Sequence, residues 1–216
     1  MSKHRSFFNR RLHSLLGVIP VGFFLLEHLW MNHYATKGAD VFQEQVEWLW
    51  GIPYLEVLEI FLIFLPLLYH GVYGLYIAFT AQNNLRNFGT FRNIMFMLQR
   101  VTGVITLVFV AIHVWQTRIQ VAINGDSAAE LTHRTADILS NDVNFILYVI
   151  GILAAVFHFS NGMWSFLVSW GVTIGPRAQQ VSTVIWAVVF VIVSYLGISA
   201  LYAFADPTFL EPLAKL

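Results

Sequence analysis

The chain has 216 residues; 57% are apolar and 16% aromatic, only 11% carry charge, and the formal net charge is zero. A charged fraction this far below the roughly 25% of soluble domains excludes an ordinary soluble globular protein and points to an integral membrane protein. Nothing in the charge pattern suggests nucleic acid as a partner, and the lack of cysteine excludes disulfides and thiolate-held cofactors.

Five apolar stretches follow in chain order, at residues 12–33, 54–80, 95–118, 143–169 and 180–204. Each is long enough to place ~20 helical residues across the hydrocarbon, with some tilt. The first begins at Leu12 and is not followed by a small-residue cleavage site, so it reads as a retained span and not a signal peptide. Between the first two spans, residues 41–50 alternate apolar and polar in a way that predicts a short amphipathic helix at the interface. Residues 81–94 read as a short polar connection. Residues 119–142 read as the longest loop, with Asn124-Gly125-Asp126 as its turn, and Gly175-Pro176 marks a tight turn before the last span. The expected fold is an all-α membrane protein, a single membrane domain over residues 1–216 with five transmembrane helices.

The basic residues set an orientation. With the N-terminus in the cytoplasm, Lys3, Arg5, Arg10, Arg11, Arg86, Arg92, Arg100 and Arg177 lie inside, and only Lys37, Arg118, Arg134 and Lys215 lie outside. This bias meets the positive-inside rule.

His28, His70, His113 and His158 fall one each on the first four spans. A histidine in hydrocarbon must find a partner for its ring nitrogens. Counted from the middle of each span at 1.5 Å per residue, His28 and His113 lie ~9–10 Å toward the outside, and His70 and His158 ~3–5 Å toward the inside. Two imidazoles at one depth on facing helices are what a bis-histidine haem requires, and the chain supplies two such pairs. The expected core is therefore a four-helix bundle holding two stacked haems. Gly74 and Gly162 each follow a histidine by four residues, and Gly17 and Thr102 each precede one by eleven, leaving small side chains near the ligands. A single buried histidine is more often a structural hydrogen bonder, and a haem-free transporter with a histidine relay is the alternative class.

Arg11-Leu-His-Ser-Leu-Leu-Gly17, Glu27-His28, His70-Gly-Val-Tyr-Gly74, Gln99-Arg-Val-Thr-Gly103 and His158-Phe-Ser-Asn-Gly162 together resemble the di-haem, five-helix cytochrome b anchors of succinate:menaquinone oxidoreductases of Bacillus-like bacteria. The resemblance covers nearly the whole chain. It implies two b haems, the outer on His28 and His113 and the inner on His70 and His158. It also implies a flavoprotein subunit carrying FAD, an iron–sulfur subunit on the cytoplasmic face, menaquinone as acceptor, and a bacterial cytoplasmic membrane. Arg11, His13, Ser14 and Arg100 are the candidates for holding haem propionates, since arginine pairs carboxylates bidentately. Glu59, eleven residues before His70, and Glu56, fourteen before it, fall near the histidine's face of a regular helix; with Glu27 they are the candidates for protonating the quinone. An anchor of a fumarate reductase shares this architecture, and the cytochrome b of a hydrogenase or formate dehydrogenase is a further alternative.

Overall fold

The structure, a computed structural model, describes residues 3–82 and 84–213, with side chains from residue 6 onward. Lys215 and the side chains of Lys3 and Arg5, which the orientation argument counted, lie outside that description. Among the described residues there is helix and no strand. Five helical segments are long and apolar enough to cross a membrane: Ser6–Lys37, Leu55–Thr80, Phe91–Asn124, Asp142–Ser169 and Pro176–Ala205. These are the five expected spans, here called spans one to five. Helix is the local solution because each backbone N–H and C=O finds its partner within the same segment, which hydrocarbon demands. Large side chains such as Phe23, Phe61, Leu68, Phe79 and Val191 stay more than half exposed, a surface that suits lipid and not water.

The spans are not uniform. Span one is interrupted at Ile19, between helices Lys3–Val18 and Pro20–His33. Pro20 has no N–H to continue the ladder, but its fixed φ suits the first position of the new helix. Span two widens into a π-helical stretch at Glu59–Phe64, two residues before Pro66, and span three does so at Trp115–Ile119, two residues after His113. Such wide turns under-wind the helix. Glu59 and Glu56 fall on the face of His70 only in a regular helix, and the π stretch, which begins at Glu59, intervenes before His70. Burial gives the local answer instead: Glu59 is half-buried, as are Ile63 and His70, whereas Glu56 is exposed.

The amphipathic segment after span one is a helix, Ala39–Trp50, with Ala39, Phe42 and Val46 buried. The region expected to be a long loop is not one. Span three runs on to Asn124, Gly125 reverses the chain at φ 71°, and a second amphipathic helix spans Ala128–Ser140. Ser127 starts it with a capping box: its hydroxyl accepts from the Glu130 N–H at 3.3 Å, and the Glu130 carboxylate accepts from the Ser127 N–H at 2.6 Å. Arg134 forms an ion pair with Asp126, and Thr132 and Ala136 are buried on the face that meets Ala39–Trp50.

The chain divides into two compact units. The first, Met1–Leu25, Glu56–Thr106 and Ala154–Val191, buries small residues such as Ala154, Ala155, Ser160 and Ser182. The second, Leu26–Leu55, Leu107–Leu153 and Ile192–Leu216, has a larger core of Leu29, Phe42, Phe109, Tyr148, Ile152 and Leu201. Phe204 is its aromatic hub, with Phe42 at 4.8 Å and Phe209 at 5.1 Å between ring centres.

Candidate functional site

Each unit contains one pair of facing histidines. In the first, the rings of His70 and His158 have centres 6.1 Å apart with planes at 81°. Both are anchored through Nδ1 to a backbone carbonyl: His70 to His13 O at 2.9 Å and His158 to Gln99 O at 2.9 Å. A carbonyl oxygen only accepts, so Nδ1 carries the proton and Nε2 keeps its lone pair. Each anchor is made possible by a glycine one helical turn beyond the carbonyl. A Cβ at Gly17 would overlap the His70 ring, and one at Gly103 would lie 2.8 Å from His158 Cε1. The same arrangement therefore occurs twice, as His13, Gly17, His70 and Gly74 and again as Gln99, Gly103, His158 and Gly162. Gly74 faces the His13 ring at 3.2 Å and Gly162 faces the Gln99 amide at 3.1 Å. The two histidines of this unit are thus held by one repeated set of contacts.

The second unit holds His28 and His113, with ring centres 5.7 Å apart and planes at 71°. Its surroundings differ. His113 Nδ1 lies 3.3 Å from the Tyr148 hydroxyl, and its ring is flanked by Phe109 at 5.8 Å. Phe109 sits where a Cβ on Gly151 would fall. The Asn32 amide donates to the His28 carbonyl at 2.8 Å and lies 3.4 Å from His28 Nε2.

These pairs suit a haem. An imidazole nitrogen sits ~2.0 Å from a first-row metal with its ring centre ~1.1 Å further back, so two imidazoles sharing one metal hold their centres ~6 Å apart. Both pairs match that spacing. Among the described residues no group of three or more His, Asp or Glu side chains forms that could hold a metal ion. All four histidines keep accessible surface although they lie amid membrane-spanning helices. His13 Nδ1 and Thr106 Oγ1 are buried without a hydrogen-bond partner, which leaves polar atoms for a bound group to meet.

The other expected site residues fall as follows. His13 stacks on His70 at 4.1 Å with planes 5° apart. Ser14 donates to Arg11 O and accepts from the Trp170 indole at 3.2 Å. Arg11 donates to Ser169 O at 2.6 Å, and Arg100 donates to Ala81 O at 3.0 Å and lies over the Phe96 ring. Glu27 is exposed. Thr102, expected beside a ligand, returns its hydroxyl to Leu98 O, and the neighbouring Gly103 makes the close approach. Sequence reasoning missed Gln99 as an anchor: it supplies the carbonyl for His158, donates to His158 O at 2.9 Å and accepts from Asn161 at 2.7 Å. It also missed Tyr148, whose only sequence signal is a polar tip in an apolar run.

Residues 81–197 match a family described as the succinate dehydrogenase/fumarate reductase transmembrane subunit. The chain is also 50% identical, over 204 residues covering 94% of it and 100% of the relative, to a protein of Bacillus subtilis (strain 168) named succinate dehydrogenase cytochrome b558 subunit.

Proposed function

Because the chain belongs to the succinate dehydrogenase/fumarate reductase transmembrane-subunit family, we propose that it anchors a succinate dehydrogenase in the bacterial cytoplasmic membrane and carries its electrons to menaquinone through two b haems. Bound between its histidines, each haem supplies a one-electron carrier. His70 and His158 ligate the one nearer the cytoplasm, and His28 and His113 the one nearer the outside. The carbonyls of His13 and Gln99 hold the inner ligands in the tautomer that offers Nε2 to a metal. Succinate oxidation belongs to a flavoprotein partner with FAD, and an iron–sulfur partner delivers electrons at the cytoplasmic face, where the N-terminus lies. Arg11, His13 and Ser14 on span one and Arg100 on span three serve as propionate partners on the inner side. On the outer side Glu59, the half-buried acid, hands protons to the reduced quinone, and the exposed Glu56 and Glu27 are the other candidates for that role. The same parts would serve fumarate reduction, and the name of the Bacillus relative favours the succinate-oxidising direction.

The observation that carries this reading is the pair of histidine pairs at metal-sharing distance, 5.7 and 6.1 Å. Pyridine haemochrome analysis of the purified complex should give two b haems per chain. His28→Ala or His113→Ala should remove one, and His70→Ala or His158→Ala the other. A single haem in well-folded wild-type protein, or purification without a flavoprotein, would refute it.

A further inference from the structure

The two histidine pairs differ in what holds them, and the difference is concentrated in one hydrogen-bonded chain. Tyr148 is 5% exposed and packs edge-on against Phe109 at 5.2 Å and His113 at 5.6 Å. Its hydroxyl donates to Gln116 Oε1 at 3.0 Å, and Gln116 Nε2 donates to Asn144 Oδ1 at 3.3 Å. A phenol has one proton. With that proton committed to Gln116, the oxygen can only accept from His113, 3.3 Å away. The chain therefore requires the proton on His113 Nδ1 and leaves Nε2 unprotonated, the form a metal ligand needs. Run in reverse, with Gln116 donating to the phenol and the phenol to the imidazole, it would put the proton on Nε2 and forbid ligation there.

We propose that Tyr148, oriented by Gln116 and Asn144, is a positioning residue that fixes the tautomer of His113 and lowers the reduction potential of the haem it ligates. The inference rests on the ligation reading above and adds to it a residue and a direction. An acceptor on Nδ1–H makes the imidazole a stronger donor to iron and so favours the ferric state. Each link polarises the next, so Gln116 strengthens Tyr148 as an acceptor. The chain ends at Asn144, on the wall of a cavity of about 600 Å³ lined also by Asp126, Glu130, Arg134 and Asp137. One end is thus held by side chains at a polar surface and the other by the ligand. His70 and His158 are held differently: backbone carbonyls accept from Nδ1 at 2.9 Å, the Gln99 amide, itself bonded to Asn161, lies 3.2 Å from His158 Nδ1, and no side-chain change at Tyr148 alters those contacts.

The test is a redox titration of the assembled complex in membranes, with optical and low-spin EPR signals followed for each haem. Tyr148→Phe keeps the ring and removes only the hydroxyl, so a role in packing alone would leave the potential unmoved. The expected result is a roughly tenfold loss of ferric-over-ferrous preference at the His28/His113 haem, ~59 mV upward for a one-electron couple, with the His70/His158 haem unchanged. If both haems load and neither the potential nor the EPR signal moves, the proposal is overturned. If Tyr148→Phe fails to load that haem, Gln116→Leu decides: a shift of the same sign, roughly threefold or ~28 mV, supports it, and no shift overturns it. A His113→Ala variant that keeps both haems would overturn ligation by His113 itself, and so is distinguishable from failure of the tyrosine's role.

Discussion

Gly103→Ala adds one methyl group to span three and places it 2.8 Å from His158 Cε1 and 3.1 Å from Nδ1. Ordinary contact begins at 3.4 Å, so the ring must retreat by at least 0.6 Å. The ring is not at liberty to do so without cost, because Nδ1 is held at 2.9 Å from Gln99 O. A retreat of that size stretches the bond to ~3.5 Å, at the edge of what counts as a hydrogen bond. Losing an orienting partner of a metal-ligating histidine weakens metal binding ~10–100-fold, or ~1.4–2.8 kcal/mol. Alanine in place of glycine in a helix interior would otherwise stabilise by ~0.5–1 kcal/mol. The substitution should therefore leave the helix sound, or slightly firmer, and damage only the His70/His158 haem. Gly17→Ala should do the same or more, since its Cβ overlaps the His70 ring. Gly162→Ala should be milder, because its Cβ meets the end of the Gln99 side chain at 3.1 Å. Haem stoichiometry and dithionite-reduced spectra of the purified complex read the outcome. Gly103→Ala with both haems at wild-type content and potential would sink the argument.

Glu59→Gln should preserve both haems and electron transfer from succinate to an artificial dye, while menaquinone reduction falls ~10²–10⁴-fold if this acid protonates the quinone in the slow step; unchanged quinone turnover would remove it from the mechanism. Docking of the iron–sulfur partner should depend on the exposed Arg86 more than on Arg92, whose guanidinium lies 3.6 Å over Trp164 and donates to Thr183 at 2.5 Å. Charge reversal at Arg86 should lower co-purification at raised salt, and equal loss from Arg92→Gln alone would contradict this. The Ser127 N–H, and after it the Ser127 hydroxyl, hold the Glu130 carboxyl below the usual carboxylate range. Its support of helix Ala128–Ser140 is therefore present above the ordinary carboxylate pKa and lost as pH falls through the lowered one. Amide exchange across that helix, corrected for intrinsic rate, should quicken in that acid window in the wild type, and Glu130→Gln should flatten the dependence.

Class, span number and the pairing of the four histidines were legible in the residues alone, for a physical reason. Hydrocarbon forces every spanning segment to satisfy its own backbone, so helices follow from hydropathy, and an imidazole within such a run stands out against apolar neighbours. One histidine on each of four spans, sorted by depth, already implied two pairs, and the structure places those same residues face to face. The helix at Ala128–Ser140 was legible too, in Ser127 and Glu130 three residues apart, but its weak apolar content lets it pass for a loop. What one helix meets on another was not legible. That Gly17 serves His70 and Gly103 serves His158, and that the Tyr148 hydroxyl and not a backbone carbonyl lies at His113 Nδ1, depends on rotation and tilt about each helix axis. Hydropathy carries no information on either, since every direction off a span is apolar. The π turns at Glu59–Phe64 and Trp115–Ile119 shift helical phase in mid-span, so residue counting fails at Glu59 and only packing decides which side it faces.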